Sequence, residues 1–309
     1  MYMPLLLFEP LLTVLSVTIA TLLCVYFMLV IDSAGFYNKE LDLFEKNWVM
    51  KFTYCLNYFV FFWFVQFIVG CQHFVIAGTV SQWYFTRNKS KVRSPICNSF
   101  YNLIFFHLGT ICLGSLMLTI IKLIRMVMRR VKARKVYINC QESDNIVLIA
   151  LSYVYEFMMS LLEGIISFLN NNAYIVTAID GLPLLLAGKR AVHLIFNNFG
   201  EHMASQTVGD LVIGSCKLFI FLPSFLVGIE MISSGLSLIV VLLLAILVSH
   251  VMMSTFETTV DTLFICYSID SEENDGEERP YFMSENLIIA MVETKHLEPP
   301  KTPIEPQQV

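Results

Sequence analysis

The feature that most constrains this chain is a series of long segments without a single charged residue. The longest, residues 52–86, covers about 35 positions and as a helix would extend about 50 Å. A second, residues 11–31, has about 21 positions, enough to cross a hydrocarbon core about 30 Å thick. With 56% hydrophobic residues, 15% charged residues and a mean hydropathy of +0.67, the composition is unusual for a soluble domain. The sequence predicts an integral membrane protein.

We predict an all-α fold, a polytopic membrane helical bundle with about six membrane segments. Lipid offers no partner to an unpaired backbone group, so helices are expected of such apolar runs. Residues 52–86 exceed a bilayer crossing, so this helix is expected to project, tilt or break, with Gly70 and Gly78 as its weak points. The predicted segments are residues 11–31, 52–86, 100–121, 146–169, 211–229 and 231–256.

Two of these segments, 100–121 and 146–169, have two interpretations. Seven basic residues lie within 122–135, and basic residues are favoured on the cytosolic side of a membrane. If residues 100–121 cross, this basic stretch lies outside. If they are re-entrant or interfacial, it stays in the cytosol. Glu156 and Glu163 share one helix face, which is expected to point toward protein or water because a carboxylate is costly in lipid.

The charge pattern predicts which parts of the chain lie outside the membrane. The loop at residues 87–93 has four basic residues and no acidic one, which predicts a cytosolic position. Residues 170–209 are polar and turn-rich, and their middle predicts an amphipathic helix on the inner leaflet, over residues 189–199. We expect a transmembrane domain over residues 1–262 and a cytosolic, partly disordered tail over residues 263–309. The apolar face of the amphipathic helix would comprise Val192, Ile195, Phe196 and Phe199.

Enzymatic and metal chemistry have little support in the sequence. The chain lacks G-x-S-x-G, H-E-x-x-H and P-loop motifs, its six histidines are dispersed, and its eight cysteines show no metal-binding spacing. We therefore expect a protein that is not an enzyme, with free thiols, no cofactor, no metal ion and no nucleic-acid partner.

The second apolar segment combines aromatic rings with neutral polar side chains. π faces stabilise a permanently charged ammonium by roughly 0.5–2 kcal/mol each, so a helix interior of this kind suits a small organic cation. The alternative is that the aromatic residues form an interfacial belt and the polar groups hydrogen-bond between helices. The residues concerned are Trp63, Gln66, Gln72, His73, Gln82, Trp83 and Tyr84.

Two carboxylates, Glu257 and Asp261, lie one helical turn apart after the last apolar segment. Like charges at this spacing repel each other, which favours proton binding by one of them. This arrangement suits a proton- or cation-coupled step. The alternative is a solvated acidic rim at the membrane boundary.

Five blocks of the sequence, in this order and spacing, resemble the choline transporter-like family of solute carriers. They cover most of the chain between residues 54 and 284. The blocks are GCQHFVIAGTVSQWYFTRNKSKV (70–92), HLGTICLGSLMLTIIKLIRM (107–126), NNNAYIVTAI (170–179), TVGDLVIGSCKLFI (207–220) and ETTVDTLFICYSIDSEENDGEERPYFMS (257–284).

The resemblance implies transport of choline, or of a related cation such as ethanolamine, by facilitation or proton exchange. It implies an integral membrane protein of the plasma membrane, with the mitochondrial membrane as the alternative, and a cytosolic C-terminus. Only the C-terminal half of the family pattern is matched, so a separate N-terminal half is an expected partner beside the lipid bilayer. A non-transporting membrane scaffold or regulatory subunit is the alternative function. The chain departs from the family pattern at residues 180–192 and 200–206, on the expected cytosolic gating surface.

From the residues and the resemblance together we assign a candidate site. The substrate-binding residues would be Trp63, Cys71, Gln72, His73 and Tyr84, with Gln72 and His73 at a helix break near Gly70. The coupling residues would be Glu257 and Asp261.

Overall fold

The computed structural model describes residues 9–38, 43–45, 47–89, 92–139, 146–231, 234–274 and 278–284. Helices make up nearly all of this part of the chain, which confirms the predicted all-α membrane fold. They are α1 (Glu9–Ser33), α2 (Trp48–Tyr84), α3 (Pro95–Asn102), a π-helical segment (Leu103–His107), α4 (Leu108–Asn139), α5 (Ile146–Asp180), α6 (Leu184–Asn197), α7 (Phe199–Met231) and α8 (Gly235–Glu273). A short antiparallel hairpin between α1 and α2 pairs β1 (Phe36–Asn38) with β2 (Leu43–Glu45).

Five helical stretches among the described residues are long and apolar enough to cross a membrane, by length and composition: 10–33, 48–84, 95–130, 199–231 and 235–273. Large apolar side chains along them remain exposed, including Phe219 (78%) and Leu236 (76%). Exposed apolar surface of this extent is stable only against lipid or another protein. The sixth predicted segment, 146–169, lies within α5.

Helix α2 runs without interruption over 37 residues, so the expected break near Gly70 is not present. The glycine at position 78 has a different role. A Cβ added there would lie 2.7 Å from the hydroxyl oxygen of Ser99. Gly78 therefore allows α3 to approach α2 closely, whereas the sequence predicted a weak point of the helix there.

Helix α5 continues through the Asn170–Asn172 run, where the sequence predicted turns. The side-chain amide of Asn170 donates to the carbonyl oxygen of Gly114 at 2.8 Å, and both Asn170 and Asn172 are 5% exposed. Burial of these amides against a neighbouring helix overrides their local preference for turns.

The amphipathic helix α6 begins five residues earlier than expected, at Leu184 rather than at residue 189. Its buried face comprises Leu184, Ala187, Ala191, Leu194 and Ile195. Of the predicted apolar face, Val192, Phe196 and Phe199 are exposed. The helix thus packs one side against the protein and keeps a second apolar side free for lipid.

The chain divides into two compact units. The N-terminal unit comprises Leu12–Cys71 and Leu108–Asn171, and the C-terminal unit comprises Gln72–His107, the described residues after 171 and residues 9–11. The best-buried part of the C-terminal unit includes Ile76 and Val80 of α2, against which Leu263 of α8 packs.

Helix α8 extends to Glu273, so the expected boundary at residues 262/263 falls inside it. Residues 264–270 are all buried. They belong to the helical part of the protein, and the remainder of the expected tail, beyond residue 284, lies outside the described residues.

Candidate cation-binding site

In the C-terminal unit, Gln72 lies on the face of α2 that packs against α8. Its side-chain amide donates to the hydroxyl oxygen of Thr255 at 3.4 Å, and Gln72 is 5% exposed. The following residues, 74–77, are at most 2% exposed. The polar group therefore points into protein, where an interhelical hydrogen bond satisfies it. The neighbouring His73 is half-buried.

Tyr84, at the end of α2, is also buried, and its hydroxyl donates to Asp270 Oδ2 at 3.1 Å. The Asp270 carboxylate is completely buried. It also accepts the backbone N–H groups of Phe282 and Met283, each at 2.9 Å, and the side-chain amide of Asn274 at 2.7 Å. A buried carboxylate with this many donors is a structural anchor. The sequence does not reveal this role of Asp270, because residues 268–276 have the polar composition of a tail.

The basic loop after α2 is tied to the same end of the helix. Lys89 donates to the carbonyl oxygens of Trp83 and Tyr84, at 2.6 and 3.1 Å. Its ammonium lies 4.5 Å from the centre of the Trp83 ring. Partial burial lowers the pKa of Lys89 below its ordinary value. This cation caps the C-terminal carbonyls of α2.

The two acidic residues of α8, Glu257 and Asp261, lie in different environments. Asp261 accepts a hydrogen bond from the side-chain amide of Gln206 on α7, whereas Glu257 is exposed. Gln206 belongs to residues 200–206, one of the two places where the sequence departs from the family pattern. The carboxylate expected to take part in coupling therefore contacts a side chain of this segment.

Two predicted site residues, Trp63 and Cys71, belong to the N-terminal unit. The indole N–H of Trp63 donates to the carbonyl oxygen of Cys112 at 3.4 Å, and its ring lies 6.5 Å from that of Phe59. Cys71 is a half-buried free thiol. Trp63 therefore takes part in helix packing within its own unit.

A cleft of about 520 Å³ in the C-terminal unit combines aromatic rings with neutral polar side chains, as predicted for residues 52–86, but Gln82 is the only residue of the predicted set among its described lining. The cleft lies at the end of α2, along α3 and at the end of α5. None of the described residues that line it is charged. Its polar groups are hydroxyl and amide side chains, and its rings are Phe85 and Tyr101. The lining comprises Ser81, Gln82, Phe85, Asn98, Tyr101, Asn102, Ala178 and Ile179.

The walls of the cleft are fixed by contacts between α2 and α3. The amide of Gln82 donates to the hydroxyl of Ser99 at 3.2 Å, and that hydroxyl donates to the carbonyl oxygen of Pro95 at 2.8 Å. The π-helical segment follows directly, and the ring of its last residue, His107, lies 5.4 Å from that of Phe74. π-helical turns occur frequently at functional sites.

The signal that could have revealed the cleft lies in Asn98-Ser99-Phe100-Tyr101-Asn102. Two amides and an aromatic ring fall at the i, i+3 and i+4 positions of a helix, which places Asn98, Tyr101 and Asn102 on one face. The stretch straddles the start of the predicted apolar segment 100–121, and the apolar character of that segment hides the polar face.

Comparison with known proteins supports the resemblance. The family model described as plasma-membrane choline transporter matches residues 1–272. Choline transporter-like protein 1 of Torpedo marmorata is 32% identical over 308 residues, 95% of this chain and 47% of the relative. The Xenopus laevis protein of the same name is 31% identical over 94% of this chain and 46% of the relative, and human choline transporter-like protein 3 is 29% identical over 92% and 45%. The chain spans about half the length of these curated relatives.

Proposed function

The chain belongs to the choline transporter-like family, and from this premise we propose that it forms part of a membrane pathway for choline or a related small organic cation such as ethanolamine. The observation that supports this proposal most strongly is the family match over most of the chain. The five long apolar helices supply the membrane-spanning frame that a pathway requires. The remaining part of the pathway would come from a half corresponding to the N-terminal part of the longer relatives.

The cleft supports recognition of a methylated ammonium group. Such a cation is weakly hydrated and has no hydrogen to donate at its nitrogen, so it favours aromatic faces over a paired carboxylate. Phe85 and Tyr101 would contact the ammonium group, and the amides of Gln82, Asn98 and Asn102 would hydrogen-bond the hydroxyl of choline. An uncharged lining also keeps binding weak enough for release, which a transporter needs.

We assign the residues expected from the sequence to three roles. Gln72 and Tyr84 are hydrogen-bonded to α8, so they would hold α2 in place next to the pathway. Asp261, which is hydrogen-bonded across to α7, would be the proton-exchanging group. His73 would line a more distant part of the pathway in the C-terminal unit, and Trp63 and Cys71 stay predicted substrate contacts within the N-terminal unit.

The basic loop after α2 supports a cytosolic position for that end of the helix, and α8 ends in hydrogen-bonding contact with it through Tyr84 and Asp270. The C-terminal segment would then be cytosolic. The protein itself would lie in the plasma membrane. A non-transporting scaffold or regulatory subunit with the same fold is the second candidate function, because this chain departs from the family pattern at residues 200–206.

Uptake of radiolabelled choline tests the proposal. The chain would be expressed alone and together with the N-terminal half of the Torpedo relative, with surface expression measured in each case. We expect saturable uptake above that of untransfected cells in at least the paired condition. Surface expression without choline or ethanolamine uptake in either condition would favour the scaffold.

A further inference from the structure

Within the N-terminal unit, α4 and α5 are joined by ion pairs. Arg125 pairs with Glu163 and also donates to the hydroxyl of Ser160 at 3.1 Å. One turn further along α4, the Nε of Arg129 donates to Glu156 at 2.9 Å. Both carboxylates of this face of α5 are thus engaged with arginines of α4.

A cavity of about 370 Å³ opens beside these pairs, and its charges do not balance. Four of its lining residues are cationic and one is anionic. The Nε of Arg125 is buried and has no hydrogen-bond partner within the described part of the chain. Lys122 donates to the neutral side-chain carbonyl of Gln66 at 2.9 Å rather than to a carboxylate. The lining comprises Lys122, Arg125, Met126, Arg129, Arg130 and Glu163.

The cavity lies where a membrane-spanning helix ends. Residues 95–130 are apolar enough to span a membrane, and the basic lining residues occupy one face at the end of this stretch. Met126 is the apolar residue of the lining. On the opposite face of α4, Ile124, Val127 and Met128 are 41–56% exposed. An anion with attached hydrocarbon chains would therefore suit both features of the site, the excess of positive charge and its position at the end of an apolar helix.

We propose that this cavity binds the phosphate of an anionic phospholipid headgroup, with the acyl chains extending into the lipid beside the apolar part of α4. Guanidinium groups bind phosphate oxygens through paired, charge-assisted hydrogen bonds. Basic pockets between membrane helices are suited to such headgroups. The site is separate from the uncharged cleft of the C-terminal unit and does not depend on the transport proposal.

Native mass spectrometry of the purified full chain tests this site. The chain in detergent would be titrated with phosphatidylglycerol, with phosphatidylcholine and, in a separate arm, with inorganic phosphate. The test variant is K122Q/R130Q, which keeps a hydrogen-bonding group beside Gln66 and spares both ion pairs. The matched control is R93Q/K189Q, since Arg93 and Lys189 are exposed and lie outside the cavity.

We expect the chain to bind phosphatidylglycerol more tightly than phosphatidylcholine. The test variant should lose about 25-fold in affinity for phosphatidylglycerol, because each basic side chain contributes roughly fivefold, and the control should lose less than twofold. Equal losses in both variants would show attraction by overall charge and would overturn the site. Binding of inorganic phosphate without a preference for phosphatidylglycerol would overturn the lipid assignment.

Discussion

At the scale of single residues, the buried carboxylate of Asp270 holds three segments of the C-terminal unit together. It accepts hydrogen bonds from Tyr84 at the end of α2, from Asn274 beyond α8 and from the backbone at residues 282 and 283. Arg87 adds a second tie, because it donates to the carbonyl oxygen of Pro280 at 2.8 Å and lies 4.5 Å from the centre of the Phe282 ring. The segment after α8 is thereby attached to the loop after α2.

We expect D270N to reduce the stability of the chain by about 2–4 kcal/mol. An amide keeps the shape of the side chain but presents an N–H group to donors that now lack a charged acceptor. Thermal unfolding of the purified chain in detergent measures the loss. D210N, at an exposed position on α7, is the control and should leave the transition unchanged. A D270N transition equal to that of the wild type would contradict the role of anchor.

The proposed proton exchange depends on Asp261. If choline entry is exchanged for protons, uptake by the wild type should rise when the external pH is raised from about 6.5 to 8.5, and D261N should remove this dependence because its amide cannot bind a proton at these pH values. The readout is the ratio of uptake rates at the two pH values. E230Q, at an exposed carboxylate near the end of α7, is the matched control and should retain the wild-type ratio. A D261N ratio equal to that of the wild type would exclude Asp261 from coupling.

At the scale of helices, the cleft depends on how closely α3 approaches α2 at Gly78. G78A would place a Cβ 2.7 Å from the hydroxyl oxygen of Ser99, so α3 must shift. We expect a loss of about 1–3 kcal/mol in stability and weaker choline binding. Because the clash is with the Ser99 side chain, the double variant G78A/S99G should regain part of the lost stability and part of the lost choline binding.

Gly109 provides the control for this substitution. It lies in α4, and a Cβ added there meets nothing within 4 Å. G109A should therefore leave stability unchanged or raise it by roughly 0.5–1 kcal/mol, since alanine favours helix over glycine. Equal effects of G78A and G109A, measured by thermal unfolding, would show that the close approach of α3 to α2 at Gly78 does not affect stability.

A second helix contact joins the ends of α5 and α8 to the middle of α6 through Arg190. Its guanidinium lies 3.2 Å from Asp180, 3.5 Å from Glu272 and 3.3 Å from Glu273, and His193 lies 3.9 Å from Glu272. Partial burial raises the pKa of Asp180, although Arg190 opposes that rise. Because the folded-state pKa is raised, the contribution of Asp180 favours folding at low pH and is lost as the pH rises through that pKa.

We expect R190Q to destabilise the chain at pH 7 by up to about 1 kcal/mol, since these groups are partly exposed and the ion pairs are screened. Without the guanidinium three carboxylates repel one another, and the pKa of Asp180 rises further. Lowering the pH toward 4 neutralises more of Asp180, whose pKa is raised, so the difference from the wild type should shrink. The measurement is thermal unfolding at both pH values, with K189Q as the exposed control. A deficit that grows at low pH would contradict this assignment.

The sequence predicts the membrane helices well and their ends less well. Uncharged runs at residues 11–31 and 52–86 correspond to α1 and α2 within a few residues, because the requirement for apolar, fully hydrogen-bonded segments in lipid is local. By contrast, Asp270 pairs with Tyr84, which is 186 positions away, and local polarity cannot reveal such a partner. Distant partners are also the reason why the sequence predicts neither the helical conformation of Asn170 nor the cleft residues on α3. The sequence draws attention to Gln72 and Tyr84, but only the packing of α8 shows which groups they contact.

At the scale of the whole molecule, the chain contains two units of different chemistry. The N-terminal unit contains the ion-paired helices and the cationic cavity beside them. The C-terminal unit contains an uncharged cleft of aromatic rings and amides. The first suits an anionic headgroup and the second a methylated cation, so the membrane lipid and the transported solute would be recognised at separate places in the chain.

The most direct test of the account is equilibrium binding of radiolabelled choline to the purified chain. We predict saturable binding that unlabelled choline displaces. Y101L should weaken it by about 2- to 30-fold, because leucine keeps the apolar bulk but removes the π face, worth roughly 0.5–2 kcal/mol. Y26L, at a tyrosine that is 60% exposed in the N-terminal unit, should bind as the wild type does. No saturable binding, or the same affinity in Y101L and the wild type, would contradict the cation site.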